Sequence, residues 1–204
     1  FAASLARPGG NVTGLSRLAP ELTAKRLELL RELRPGLARV AVLWDLGLGP
    51  IDRLDQLGWR NAGAMQSLAS GRISLPVREP EDLDAAFATA HRGGAGAVVL
   101  GPESALLRAE VGRITALSVK YQMLTIAERD IYAKGGILLA YGPDLHEMAR
   151  RAATFVDKIL RGTPPGEIPI EQPTKFELVI NTRTAKALAV AIPQSMLLRA
   201  DEVI

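Results

Sequence analysis

Five side chains in this 204-residue sequence carry groups suited to holding a polar small molecule: the carboxylates of Asp45, Glu103 and Glu128, the hydroxyl of Ser104 and the phenol of Tyr141. Each lies at or just beyond the end of a short apolar run: RVAVLW, AVVL, MLTIA or GILLAY. Such runs are typical of strands buried on both faces of a parallel sheet. In open parallel sheets ligands bind outside the carboxyl ends of the strands, so these ends bring acceptors, a hydroxyl at a helix start and a phenol to one edge. That set suits binding of a polar solute better than a reaction. Each residue also has a structural use. Ser104 can cap a helix, Asp45 can form a turn and Tyr141 can pack, and both kinds of role stay open.

Catalytic patterns are sparse. His91 and His146 sit at helix ends with no second ligand or nucleophile beside them in sequence. H-E-x-x-H, G-x-S-x-G and G-x-x-x-x-G-K do not occur. Gly93-Gly94-Ala95-Gly96 precedes an apolar run, whereas a phosphate loop follows a strand and opens a helix, so it reads as a helix stop and turn. Asn11-Val12-Thr13 matches the glycosylation pattern only by letter. Glu81, Asp82 and Asp84 fall at a helix start, where carboxylates favour the dipole. With no cysteine, disulfides, thiolate metal sites and thiol nucleophiles are excluded. No cofactor or metal is expected.

Composition narrows the class further. A content of 48% hydrophobic and 23% charged residues supports a packed core. Lys and Arg number 25 against 22 Asp and Glu, a net charge of +3 that is no nucleic-acid signature. Aromatics at 4% are too few for a base-stacking platform. No apolar run approaches the ~18 residues of a spanning helix. No signal peptide is visible after Phe1.

The elements that must position these groups alternate. Helices are expected over Pro20–Arg34, Ile51–Ala69, around Leu83–Ala90, from Ser104 to about Tyr121, over Leu145–Leu160 and from Asn181 to Val190. Strands are expected at 39–44, 72–77, 97–100, 123–127, 136–141 and 175–180, with Pro76 marking an edge. Val12–Ser16 reads as a short strand and 163–174, rich in proline, as an extended connection. The rhythm is that of an α/β fold with a mainly parallel sheet.

Long stretches resemble one family. FAASLARPGGNVTGLS at Phe1–Ser16, PELTAKRLELLRELRPGLARVAVLW at Pro20–Trp44, AKGGILLAYGPDL at Ala133–Leu145, RAATFVDKILRGTPPGEIPIEQPTKFELVIN at Arg151–Asn181 and AIPQSMLLRADEVI at Ala191–Ile204 resemble bacterial ABC-transporter substrate-binding proteins of the tryptophan/tyrosine type. The resemblance implies a bilobal periplasmic-binding-protein fold with three crossovers. Lobes closing on a small ligand then dock on a membrane permease, and the binding protein does no chemistry. It implies residues 1–16 as the end of the N-terminal lobe and first crossover, 17–135 as the C-terminal lobe, 136–167 as a return into the N-terminal lobe, and 168–204 as crossover and end of the C-terminal lobe. Most of the N-terminal lobe is then expected to lie before Phe1.

The implied location is the periplasm, or the cell surface as a lipoprotein. Asp45-Leu46-Gly47-Leu48-Gly49 departs from the family's Asn-Pro type of loop, so the ligand need not be an aromatic amino acid. Two other readings stand beside this one: an α/β enzyme of small metabolites with Asp45 or Glu103 as base, and a ligand-sensing regulatory domain. The apolar stripe of 145–160 lacks a host in this chain, so self-association through it is expected. No nucleic-acid partner is expected.

Overall fold

Strands whose successive side chains point to opposite faces can be apolar throughout only if both faces are covered. Strand β1 (Val40–Asp45) shows this directly: Val40, Val42 and Trp44 enter one core, while Ala41 and Leu43 enter another. The computed structural model describes residues 2–16, 19–48 and 71–204. The helix expected over Ile51–Ala69 lies outside the described residues.

Two compact units are present. The larger comprises residues 19–142 and 177–204, the smaller residues 1–18 and 143–176. In the larger unit, helix α1 (Ala19–Leu33) leads to β1, followed by β2 (Arg72–Val77), α2 (Asp82–Arg92), β3 (Ala97–Leu100), α3 (Ala105–Ala109), α4 (Val111–Lys120), β4 (Leu124–Ala127), α5 (Asp130–Lys134) and β5 (Leu139–Pro143). After the smaller unit come β6 (Phe176–Ile180), α7 (Thr182–Ala187), α8 (Gln194–Leu197) and β7 (Glu202–Val203). The strand order is β2-β1-β3-β4-β5-β6-β7. The β1–β2, β1–β3, β3–β4, β4–β5 and β6–β7 ladders are parallel. Pro76, which has no N–H to donate, sits on outermost strand β2, as its chemistry requires.

One face of the sheet packs Leu27, Leu30, Trp44, Val99, Ile126, Ile180 and Met196; the other packs Leu43, Phe87, Leu100, Leu107, Ile114 and Met123. Full burial of a side chain such as Phe87 contributes about 1.5–3 kcal/mol. The fold is thus the expected mixed α/β architecture around a mainly parallel sheet.

Two local expectations are corrected. The helix from Ser104 to Tyr121 is two helices, because Glu110 leaves the helical region at φ −94° and ψ 12°. Leu107, Ile114 and Leu117 are nevertheless all buried. Residues 12–16 form no strand; Leu15 makes one isolated parallel bridge with Glu171. The larger unit runs on to 142, because Ile126 and Ala127 of β4 pair with Leu139 and Ala140 and hold β5 in the larger sheet.

In the smaller unit, helix α6 (Leu145–Leu160) starts where the Asp144 side chain accepts the Glu147 N–H. Residues 2–16 run beside 166–171. Gly9 N–H donates to Gly166 O, Ile170 N–H to Leu5 O, and Thr13 Oγ1 to Ile168 O at 2.8 Å. Gly9 and Gly10 take positive φ here, and a side chain on Gly166 would overlap their backbone. Phe155 and Ile168 are buried, whereas Val156 and Leu160 are 55% and 82% exposed.

Candidate functional site

The larger unit sets its sequence-nominated residues along the carboxyl edge of the sheet, and most of their polar atoms already serve the fold. Asp45 ends β1, and its Oδ1 accepts the Gly47 N–H at 2.7 Å, forming the turn through Leu46–Leu48. Gly101, after β3, passes so close to β1 that an added Cβ would lie 2.9 Å from Trp44 Cβ. The chain then reaches Glu103 and Ser104. The buried Ser104 hydroxyl accepts the Leu107 N–H at 3.1 Å and caps α3.

Glu103 is held by two arginines. Arg129 Nη1 lies 2.6 Å from both carboxylate oxygens, and Arg108 Nη1 lies 3.0 Å from Oε1. Arg129 follows β4 and so reaches Glu103 from the neighbouring strand end. Hydrogen bonding to Glu103 raises the Arg129 pKa, against a smaller opposing effect of burial. Tyr132, on α5, is 2% exposed, and burial followed by the Glu103 charge raises its phenol above the ordinary value.

Glu128 and Tyr141 form a second group, joined by Arg26 of α1. Arg26 is 5% exposed; its Nε donates to Tyr141 O at 2.8 Å and its Nη2 lies 4.0 Å from Glu128 Oε2. The Tyr141 side chain packs against the core. Gly142 is required at the strand end, since a Cβ there would overlap the Glu128 carbonyl oxygen. The structure therefore links Glu128 to the Tyr141 backbone through Arg26, engages Asp45 in its own turn and engages Glu103 with Arg108 and Arg129.

Sequence reasoning passed over Arg26 and Arg129. A signal for Arg26 was present: with Leu22 and Leu30 it occupies positions i, i+4 and i+8 of an otherwise apolar face. An arginine there needs buried acceptors. Arg129 had no such signal, because its partner is 26 residues away.

The smaller unit contains a cavity of about 290 Å³ lined by Leu15, Asp144, Met148, Arg151, Glu171 and Lys175, among others. Asp144 is 3% exposed and receives Lys175 Nζ at 2.8 Å and the Glu147 N–H at 2.9 Å. The Lys175 contact first, and the Glu147 N–H second, hold its carboxyl at about 2. Glu171 is lowered mainly by Arg151. His91 lies against Tyr121 with the rings tilted by 39° and their centres 5.2 Å apart, and His146 is exposed. Among the described residues, no helix is long and apolar enough to cross a membrane.

The fold has relatives among known proteins. The tyrosine-binding protein of Clostridioides difficile (strain R20291) is 23% identical over 189 residues, covering 91% of this chain and 52% of its own length. A conserved domain protein from Vibrio cholerae O1 biovar El Tor superposes with a TM-score of 0.82 at 22% identity, over 100% of this chain and 66% of its own. An ABC domain from Streptococcus pneumoniae, solved in complex with L-Trp, superposes with a TM-score of 0.81 at 20% identity, over 100% and 68%. The likeness to the two solved structures is one of fold, and the chain spans about half the length of the curated relative. The ABC transporter substrate binding protein family matches residues 1–204, and the chain belongs to that family.

Proposed function

We propose that this protein is the solute-binding component of an ABC importer. In this reading it captures a small polar solute, an amino acid, at the carboxyl edge of the larger unit's sheet and delivers it to a membrane permease. The larger unit acts as the C-terminal lobe and one wall of the site; a second lobe closes over the solute. The observation that carries this reading is the family match along the whole chain. It is supported by the names of two similar proteins, one tyrosine-binding and one solved with L-Trp. Asp45, Glu103, Ser104, Glu128 and Tyr141 are the proposed wall residues, with Arg26 tying Glu128 to the Tyr141 backbone.

Binding without chemistry suits this geometry. The carboxylates nominated as catalytic bases are engaged, Asp45 by its own turn and Glu103 by two guanidiniums. The periplasm, or the cell surface as a lipoprotein, is the matching location. The test is to purify the whole polypeptide that the gene encodes, denature it and identify released small molecules by mass spectrometry, alongside thermal melts with each of the twenty L-amino acids. One amino acid that is released and also raises the melting temperature is the expected result. No released amino acid, and no shift with any of the twenty, contradicts the reading.

A further inference from the structure

Charges at the carboxyl edge of the larger unit are unevenly paired at one point. Glu103 offers one negative charge to two guanidiniums, those of Arg108 and Arg129. Arginines and carboxylates pair most favourably through a two-nitrogen fork, but Arg129 meets both Glu103 oxygens through the single nitrogen Nη1. Its Nε is buried and meets no partner at hydrogen-bond geometry among the described residues. The hydroxyl of Tyr132, itself 2% exposed, is approached by the Ser104 N–H, but its own proton meets no acceptor among the described residues. Glu103, Arg108 and Arg129 all act electrostatically on that hydroxyl, so the phenol belongs to the same cluster. Buried donors without acceptors are rare in folded proteins.

We infer that Arg129, backed by Arg108 and Tyr132, is the seat of the solute's carboxylate, and that Glu103 is an internal carboxylate which the solute displaces. This deepens the solute-binding reading above and rests on it. Asp130 already adds a negative field at Arg129; what a solute carboxylate brings is two acceptor oxygens, which can serve both the guanidinium fork and the phenol. The position fits, because Glu103 and Arg129 follow the adjacent strands β3 and β4 at the ligand-binding edge of the sheet. Glu103 then has the opposite role to the one its sequence position gives it. A bare glutamate at this edge attracts a solute's ammonium, whereas one held by two arginines competes with the solute's carboxylate.

The opposite signs make the test sharp. Calorimetry on the whole encoded polypeptide uses the twenty L-amino acids and the carboxamide of whichever binds tightest. Glu103→Gln removes the internal competitor and is expected to tighten binding of the acid several-fold. Arg129→Gln is expected to weaken the acid at least tenfold while leaving the carboxamide nearly unchanged, and Arg129→Lys recovers part of the loss. Thermal melts of each variant check folding; should Arg129→Gln fail to fold, the Glu103→Gln result still decides. Weakened or unchanged binding in Glu103→Gln, or indifference to Arg129→Gln, overturns the inference. Absence of any binding by the wild type removes the solute-binding reading and this one with it.

Discussion

Asp144 joins a helix cap to an ion pair, and its replacement can be worked out in advance. A carboxyl held at about 2 rather than 3.8 contributes up to about 2.5 kcal/mol of stability at neutral pH. The Lys175 side chain that contributes most of this is 55% exposed. Solvent screening therefore reduces the figure to about 1–1.5 kcal/mol. The cap bond to Glu147 is part of that same depression, and the share of it that a neutral capping oxygen keeps is about 1 kcal/mol. Because the folded value is depressed, the electrostatic part is fully present above pH ~4 and is lost as pH falls towards 2. Asp144→Asn keeps a capping oxygen and removes the charge, so it should cost about 1–1.5 kcal/mol at pH 7 and almost nothing at pH 2. Asp144→Ala should cost about 1 kcal/mol more at pH 7. Urea melts followed by circular dichroism at the two pH values give both numbers. A variant Asp144→Asn as stable as the wild type at pH 7, or destabilised equally at both pH values, refutes the reasoning.

Other expectations follow from equally specific contacts. Gly142→Ala forces a Cβ against the backbone oxygen of Glu128 and should cost about 2–3 kcal/mol in the same urea melts; a change below about 0.5 kcal/mol contradicts the close approach. Asn181→Ala removes the cap bond to Thr184 N–H and the buried bond to Ala133 O, at 2.9 and 2.8 Å, and should cost about 2–3 kcal/mol in thermal melts. The 204-residue chain should self-associate through the α6 face, where Val156 and Leu160 are exposed, and Val156→Glu with Leu160→Glu should reverse this in light scattering. A monodisperse wild-type monomer contradicts that expectation.

How much was legible beforehand depended on whether the controlling contact was local. β1 and β3 could be read because burial on both faces makes every residue apolar. The caps Ser104 and Asn181 stood next to the helices they start. The break at Glu110 was hidden because Leu107, Ile114 and Leu117 keep helical spacing through it. The extent of the larger unit to 142 depends on β5 pairing with β4, a register that no local pattern announces. At the candidate site the edge residues were legible as a class, but their partners were not. Glu103 reads as a free carboxylate until Arg129 arrives from the next strand end, and the Lys175 that holds Asp144 arrives from 31 residues on.

The central claim, that the carboxyl edge of the larger unit is one wall of an amino-acid site, is tested most directly by calorimetry on two proteins. The 204-residue chain should bind no L-amino acid more tightly than about millimolar, because one wall leaves a polar solute half in water. The whole encoded polypeptide should bind one of them at micromolar or better, and Glu128→Ala and Tyr141→Ala should each weaken it. Micromolar binding by the 204-residue chain, or indifference of the whole polypeptide to both substitutions, contradicts the account.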